Sequence, residues 1–374
     1  MVIKTEEFKA VCSTILSAID NNEVSSLTET LELKVENKVL YLNVTNGEYY
    51  ASVKFELDHD EVFNAAVNAN LFLKLIAAVT TENIELEIKD TYVLVKANGT
   101  YKIPLIFKDN ALLTLPKIEI ANKTVSMKIG GAILESILNY NSKELLRGTV
   151  SRPVQKLFYV DEKGCITFTT GACINSFTLE KPIKVLFNSR LVKLFKLFKN
   201  DMVDFELGYD PISEELVQTK VSFTTPKITL AAITSCNDEL LKSVPVTAIR
   251  GRAEAAYDNN VVLNKDELLD AVNRLLLFSA GYGTAKNLKP YSMFECAGDS
   301  MTIYDSNGEN KEVIKFKDST TVKDPYSMKL DLADLKLILD TITEDYITVA
   351  FGNHQAIVLK RTSIANVVPE CKTV

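Results

Sequence analysis

Residue types that commonly carry out catalysis are sparse in this chain and form no recognisable catalytic motif. Histidine occurs twice, as His59 in a DHDE stretch and His354 in a GNHQ stretch, so acid–base chemistry by imidazole has little support. The Gly281-Tyr-Gly283 stretch looks like the start of a dinucleotide loop, but it follows a predicted helix instead of a strand. No GxxxxGKS/T, GxSxG or HExxH pattern occurs. We therefore expect a protein without enzymatic activity, metal site or cofactor.

The overall composition is that of a folded protein with an acidic balance. The chain has 374 residues, of which 47% are hydrophobic and 24% charged, and its net charge is −7. This excludes a disordered chain and a uniformly basic nucleic-acid binder, but it leaves room for a local basic patch. The six cysteines form no C-x-x-C pair, which favours reduced, buried thiols. The chain shows neither a signal peptide nor a long apolar run, so the sequence predicts a cytoplasmic protein with no membrane span.

The clearest charge pattern lies in a helix predicted between Asn188 and Asn200. At about 100° per residue, its basic residues fall on one face and Leu191, Leu194, Phe195 and Phe198 on the opposite face. No acidic residue lies between Asn188 and Asn200. Such a stripe could follow a phosphate backbone. It could also lie on an anionic membrane surface or be an ordinary solvated helix face. The charge pattern alone leaves these three interpretations open.

Three segments of the chain share one design, which indicates an internal repeat. Each has an Asn or Asp that suits a helix N-cap, an amphipathic helix of about twelve residues, and then an alternating strand. The segments are NANLFLKLIAAVTTENIELEI (Asn68–Ile88), NSRLVKLFKLFKNDMVDFEL (Asn188–Leu207) and DLADLKLILDTITEDYITVAF (Asp331–Phe351). A repeat of this length indicates a duplicated domain instead of a solenoid, whose period is about 20–50 residues.

A second predicted helix precedes each of these segments, and alternating strands lie between the two helices. The preceding helices are predicted over Thr5–Ile19, Gly131–Arg147 and Asn264–Phe278. The sequence therefore predicts an α+β fold of three tandem units, each with two helices packed on antiparallel sheet. The predicted domains are residues 1–121, 122–249 and 250–374.

This ordered set of features resembles the bacterial sliding clamp, the beta subunit and processivity factor of the replicative DNA polymerase. The resemblance spans essentially the whole chain. VIKTEEFKAVCSTIL near the start is similar to the family's first strand and helix, and NANLFLKLIAAVTTENIELEI to its second helix and following strand. TTGACI (Thr169–Ile174) falls where the family usually has TDGHRL, and IANVVPECKTV is similar to its C-terminal strand and tail. Ala172 and Cys173 replace the family's His-Arg pair, which is typical of a divergent copy.

The resemblance implies a homodimer, in which two chains of three domains join head-to-tail into a six-domain ring around double-stranded DNA. Helices would line the hole, and the DNA would pass without sequence-specific contacts. The implied partners are non-specific DNA, a DNA polymerase, a clamp loader and a second copy of the chain. The basic residues implied to face DNA are Lys74, Lys143, Arg147, Arg190, Lys193, Lys196, Lys199, Arg274 and Lys336.

The resemblance also implies a partner-peptide pocket and a subunit interface. In the family, partners insert a short motif with Gln near its start and Leu and Phe near its end. The positions that match the pocket are Pro153, Thr169, Gly171, Ile174, Lys242, Val367, Val368 and Pro369. Those that match the interface are Tyr101, Ile103, Leu277 and Phe278. Two alternatives stay open at this point: a scaffold protein of the same fold that does not encircle DNA, and an enzyme with a cryptic site.

Overall fold

The computed structural model describes residues 1–19, 27–58, 60–146, 152–211, 217–234, 237–279, 291–317 and 320–371. Within these residues helices and antiparallel strands are mixed, as the sequence predicts for an α+β fold. The chain divides into two compact units, the first formed by Met1–Glu135 with Arg190–Cys236 and the second by Ser136–Ser189 with Asn237–Val374. In the described part of the chain, no helix has the length and apolar character needed to cross a membrane.

The helical elements are short, and several are irregular. The α-helices are α1 (Thr5–Leu16), α2 (Ala69–Ala78), α3 (Gly131–Ser136), α4 (Ser142–Glu144), α5 (Ser189–Lys193), α6 (Asp238–Ser243), α7 (Val246–Glu254), α8 (Lys265–Ser279) and α9 (Leu332–Leu339). A π-helical segment spans Ile137–Asn141, and 3-10 segments span Pro153–Lys156 and Leu194–Leu197.

The strands make up most of the regular structure. In chain order they are β1 (Val2–Lys4), β2 (Thr30–Glu36), β3 (Val39–Thr45), β4 (Tyr49–Glu56), β5 (Asn64–Asn68), β6 (Asn83–Ile88), β7 (Tyr92–Lys96), β8 (Thr100–Pro104), β9 (Phe107–Lys108), β10 (Ala111–Leu112), β11 (Lys123–Gly130), β12 (Leu157–Asp161), β13 (Gly164–Phe168), β14 (Ala172–Ser176), β15 (Lys184–Asn188), β16 (Met202–Pro211), β17 (Val217–Thr224), β18 (Ile228–Thr234), β19 (Asn259–Asn264), β20 (Tyr291–Gly298), β21 (Ser300–Tyr304), β22 (Lys311–Lys315), β23 (Val322–Asp331), β24 (Tyr346–Phe351), β25 (Ala356–Lys360) and β26 (Ile364–Pro369).

Each unit contains a long antiparallel sheet that combines strands from two of the three predicted domains, which are called thirds below. In the first unit the order is β11-β16-β17-β18-β4-β3-β2-β5, and a smaller sheet has the order β1-β6-β7-β8. In the second unit the orders are β15-β12-β13-β14-β26-β25-β24-β19 and β22-β21-β20-β23. The joining pairs are β18 with β4, where Leu230 faces Ala51, and β14 with β26, where Ile174 faces Ala365. The compact units therefore do not coincide with the predicted thirds, and the three-domain division stays a prediction.

The internal repeat is visible in the strand pairing. The first strand of each third pairs with the strand that follows the second helix of the same third, as β1 with β6, β11 with β16 and β19 with β24. The N-caps at Asn68 and Asp331 are formed as predicted. The Asn68 side chain accepts a hydrogen bond from the Leu71 N–H at 2.9 Å, and Asp331 accepts from the Ala333 N–H at 3.0 Å.

One predicted helix is not regular. In place of a continuous helix over Gly131–Arg147, α3 is followed by the π-helical segment and then by α4. Asn141 in that segment is fully buried, and its amide nitrogen lies 3.4 Å from the Cys165 carbonyl oxygen and 3.3 Å from that of Cys173. A buried amide needs such partners, and the wider π turn directs it toward β13 and β14.

Candidate functional sites

The basic stripe predicted between Asn188 and Asn200 is present, but its helix is not the continuous α-helix that the sequence predicts. Helix α5 ends at Lys193, and a 3-10 segment continues to Leu197. The basic residues recur at every third position, and a 3-10 helix has about three residues per turn. The tighter winding therefore keeps them on one face. Arg190, Lys193, Lys196 and Lys199 are all exposed, as predicted.

The opposite face of this segment is held by an aromatic cluster within the first unit. The ring of Phe223 lies 5.1 Å from that of Phe195, 6.0 Å from that of Phe198 and 5.2 Å from that of Phe205, measured between centroids. All four rings are buried. Since large rings in a close-packed core have few alternative positions, this cluster fixes which face of the segment meets solvent.

The stripe carries three lysines whose charge is not compensated by an ion pair. Among the described residues, Lys193, Lys196 and Lys199 have no ion-pair partner. Arg190 differs, because its guanidinium lies 3.2 Å from the Glu48 carboxylate. The positive field over this face therefore comes mainly from the three lysines. Exposed, mobile ammonium groups are suited to non-specific contact with phosphate.

The other basic residues predicted to face DNA fall into two groups. Lys74 on α2 and Lys143 on α4 are exposed, and within the described residues neither has an ion-pair partner. Two others are compensated. The Arg274 guanidinium forms a bidentate ion pair with the Glu312 carboxylate, with N–O distances of 2.7 and 3.1 Å. The Lys336 ammonium pairs with the Asp340 carboxylate at 3.3 Å. The last predicted contact, Arg147, lies outside the described residues.

The predicted partner-peptide residues all belong to the second unit, but the long sheet separates some of them. Ile174 and Val367 pack in one apolar cluster together with Val154, next to the predicted Pro153. Val368 is 2% exposed and packs in the cluster on the other face, because neighbouring residues of a strand point to opposite sides. The structure thus brings Ile174 and Val367 together and places Val368 away from them.

The remaining pocket residues lie at the border of this cluster. Pro153 begins a 3-10 segment and is exposed, Lys242 is exposed in the last turn of α6, and Pro369 is partly exposed at the end of β26. Thr169 is buried, and its backbone N–H donates to the Gly171 carbonyl oxygen at 3.0 Å across a tight turn.

Two further hydrogen bonds, one at the hydroxyl and one at the carbonyl oxygen, hold Thr169 in place. Its hydroxyl lies 2.9 Å from a carboxylate oxygen of the buried Glu144, and its carbonyl oxygen accepts from the Gln155 side chain at 2.9 Å. Because buried polar groups are stable only when paired, this network holds the turn rigidly at the edge of the apolar face.

Helix α7 lies against this same apolar face, in a place where the sequence indicates only a domain boundary. Val246 and Ile249 pack on the cluster that contains Ile174 and Val367, and α7 contacts β26. The predicted boundary between residues 249 and 250 falls inside this helix. Sequence reasoning missed α7 because only four of its nine residues are apolar and its middle contains a glycine, which lowers helix propensity.

A partly buried ion pair connects α7 to the sheet. The two terminal nitrogens of the Arg250 guanidinium donate to the two carboxylate oxygens of Asp161 at 2.8 and 2.7 Å. The exposed fractions of the two side chains are 19% and 5%. Burial acts to raise the pKa of Asp161, but the hydrogen bonds from Arg250 and from the Lys163 backbone N–H outweigh it and leave the pKa below its ordinary value.

The predicted subunit-interface residues lie at strand edges and at one helix end. Strand β8 is an edge strand, where Tyr101 is 38% exposed and Ile103 is 2% exposed. In the second unit, Leu277 and Phe278 near the end of α8 are 74% and 44% exposed, and α8 contacts the edge strand β22. Two adjacent large apolar side chains are thus exposed near the end of a helix that contacts an edge strand.

Comparison with known proteins places the chain among sliding-clamp structures. No protein-family model and no curated protein sequence matches it. The beta subunit from DNA polymerase of Streptococcus pyogenes matches with a TM-score of 0.82 at 14% identity. DNA polymerase III, beta subunit, from Thermotoga maritima matches at 0.78 and 12%, and the Helicobacter pylori beta clamp bound to DNA ligase peptide at 0.75 and 13%. Each match covers 100% of this chain and 99% of the other chain.

The chain therefore has the bacterial sliding-clamp fold over its full length. This confirms the fold that the resemblance in the sequence implies. At identities of 12–14%, the similarity is one of fold.

Proposed function

We propose that this protein is a DNA sliding clamp, a non-enzymatic processivity factor that encircles double-stranded DNA. The observation that carries the proposal is the combination of a full-length clamp fold with three exposed stripe lysines, Lys193, Lys196 and Lys199, that have no ion-pair partner in the part of the chain that the structure describes. A sliding protein needs attraction to the phosphate backbone without a preferred register. Exposed lysines provide this, because they contact phosphate and do not read base edges.

Ring closure in this proposal uses the two exposed strand edges. Strand β8 of one copy would meet β22 and the end of α8 of a second copy, with Leu277 and Phe278 buried in the contact. The two contacting surfaces differ, so the contact is heterologous, and such contacts close into a ring when the rotation per subunit allows it. In this arrangement the three predicted domains per chain give six in the dimer.

The proposal assigns partner tethering to the apolar face around Ile174 and Val367. Polymerases and other replication proteins would attach there through a short apolar peptide, and a clamp loader would open the ring. The buried Thr169 turn borders the face and fixes its edge. Such a site would let several partners share one ring, because each needs only a flexible peptide to attach.

The test is retention on closed DNA circles. The native mass should be twice 41.6 kDa at micromolar concentration. Dimers loaded on a nicked circular plasmid should stay bound through a high-salt gel filtration, and cutting the plasmid with a restriction enzyme should release them. Loading can be done with a loader extract or by brief ring opening at low protein concentration. Equal release from circular and linear DNA would contradict encirclement and favour the scaffold alternative.

Charge reversal of Lys193 and Lys196 separates the two candidate functions further. For a clamp, Lys193→Glu with Lys196→Glu should reduce loading and processive synthesis, because like charges then face the DNA backbone. For a scaffold protein that does not encircle DNA, the same substitutions should cause no loss of function. The native mass of the variant serves as the folding control.

A further inference from the structure

Helix α7 packs on the apolar face of the second unit that contains Ile174 and Val367. It reaches β12 through the Arg250–Asp161 ion pair and contacts β26, and β13 and β14 lie between those two strands in the sheet. Three strand spacings amount to about 14 Å, and nine helical residues extend about 13 Å. The helix is therefore nearly as long as the distance between β12 and β26.

The surface beneath the helix is strongly apolar. The buried residues of this cluster that lie on β12, β13, β14 and β26 include Tyr159, Ile166, Phe168, Ala172, Ile174 and Val367. If α7 moved away, these side chains would line an apolar face with Asp161 at its border. A face of that kind needs a cover, because exposed apolar area is unfavourable in water by about 25 cal/mol per Å².

The helix that provides this cover is intrinsically weak. Ala253 is its only buried residue among Val246–Glu254, and Val246 and Ile249 are partly buried. Its N-cap residue, Pro245, makes no side-chain capping bond. Gly251 lies inside the helix, where glycine disfavours helix formation relative to alanine. Besides these apolar contacts, the helix is attached by two polar contacts: the ion pair between Arg250 and Asp161, and a hydrogen bond of 3.0 Å that the Tyr257 hydroxyl donates to the Arg252 carbonyl oxygen.

We propose that α7 is a displaceable cover over the partner-peptide site and that a short peptide carrying Leu or Phe takes its place. Phe is larger than Val246, Ile249 and Ala253, and Leu is larger than Val246 and Ala253, so such a peptide buries more apolar area on this face and competes favourably once the ion pair opens. The free protein holds the site closed, and its apparent peptide affinity is reduced by the fraction of molecules that are closed. This inference rests on the proposed tethering function.

The experiment compares three single substitutions on consecutive positions of α7. The probe is a fluorescein-labelled pentapeptide that begins with Gln and ends with Leu-Phe, and its binding is followed by fluorescence anisotropy. Arg250→Ala should tighten binding about tenfold, because it removes a charge-assisted contact of the closed form. Gly251→Ala should weaken binding about fivefold, because it stabilises the helix, and an added Cβ there meets no atom within 4 Å. Arg252→Ala is the matched control, since Arg252 is exposed on the same helix, and should leave binding unchanged.

A second measurement reports on the helix itself. Amide hydrogen exchange of residues 246–254, read by mass spectrometry, should accelerate when peptide is added, because displacement exposes the α7 amides. Asp161→Asn keeps the side-chain shape and removes the charge, so it should reproduce the effect of Arg250→Ala on both exchange and affinity. This second variant keeps the test valid if Arg250→Ala folds poorly.

The possible failures are distinguishable. If the peptide binds all variants equally, or slows exchange in α7, the helix is not a cover, although the tethering function stands. If no variant binds the peptide even where exchange shows that α7 has been released, the apolar face is not a peptide site. That outcome overturns both the cover and the tethering function.

Discussion

Removing the charge of the lysine stripe should weaken the salt dependence of DNA binding by a calculable amount. Each lysine that neutralises a phosphate adds about 0.9 to the slope of log affinity against log salt concentration. Replacing Lys193, Lys196 and Lys199 by Ala together should therefore reduce the slope by about 2.7 if all three contact phosphate. Arg190 is left in place, because its charge already pairs with Glu48.

The difference is large enough to measure directly. With a slope difference of about 2.7, each doubling of the salt concentration lowers the DNA affinity of the wild type about sixfold further than it lowers that of the variant. Fluorescence anisotropy with a labelled double-stranded DNA, in potassium chloride between about 50 and 200 mM, covers two such doublings. The aromatic cluster beneath the stripe is untouched, so the fold should be unaffected, and urea unfolding checks this.

A matched control separates the stripe from the general field of the protein. Lys34, Lys89 and Lys96 lie on or beside strands of the first unit, and each pairs with a glutamate. Replacing these three by Ala changes the net charge by the same amount but leaves the stripe intact. The salt slope of this control should stay at the wild-type value. An equal loss of slope in both triple variants, or an unchanged slope in the stripe variant, would refute direct phosphate contact by the stripe.

Three further substitutions test the packing, the ion pair and the ring contact. Gly131→Ala should lower the free energy of unfolding by about 1–3 kcal/mol, because a Cβ there would lie 2.2 Å from the Lys199 carbonyl oxygen, whereas Gly251→Ala should cause no loss in urea titration. The pKa of Asp161 in the folded protein lies below its ordinary value of 3.8. The ion pair's contribution to the free energy of unfolding is therefore complete above pH 3.8 and is lost as the pH falls through the lower, folded-state pKa. Asp161→Asn should therefore destabilise the protein at neutral pH and progressively less below 3.8, and a constant difference would show that the charge is irrelevant. Leu277→Asp should halve the native mass in sedimentation without lowering the melting temperature, and a persistent dimer would exclude Leu277 from the contact.

Local pattern in the sequence determined much of the fold. The caps at Asn68 and Asp331 and the repeated order of helix and strand depend on residues close together in the chain, so they could be predicted. The basic stripe also depends on local spacing, and its exposure at Lys193, Lys196 and Lys199 agrees with the prediction even though part of the helix is 3-10.

Only the tertiary structure decided which of the predicted site residues act together. Arg274 looks in the sequence like a free charge, but Glu312, 38 residues away, neutralises it. Val367 and Val368 are neighbours in the chain, but the strand places them on opposite faces of the sheet. The contact between Arg250 and Asp161, 89 residues apart, is set by how the sheet folds beneath α7. Contacts of this kind depend on strand pairing between distant segments, and the spacing of residues within a single segment carries no information about them.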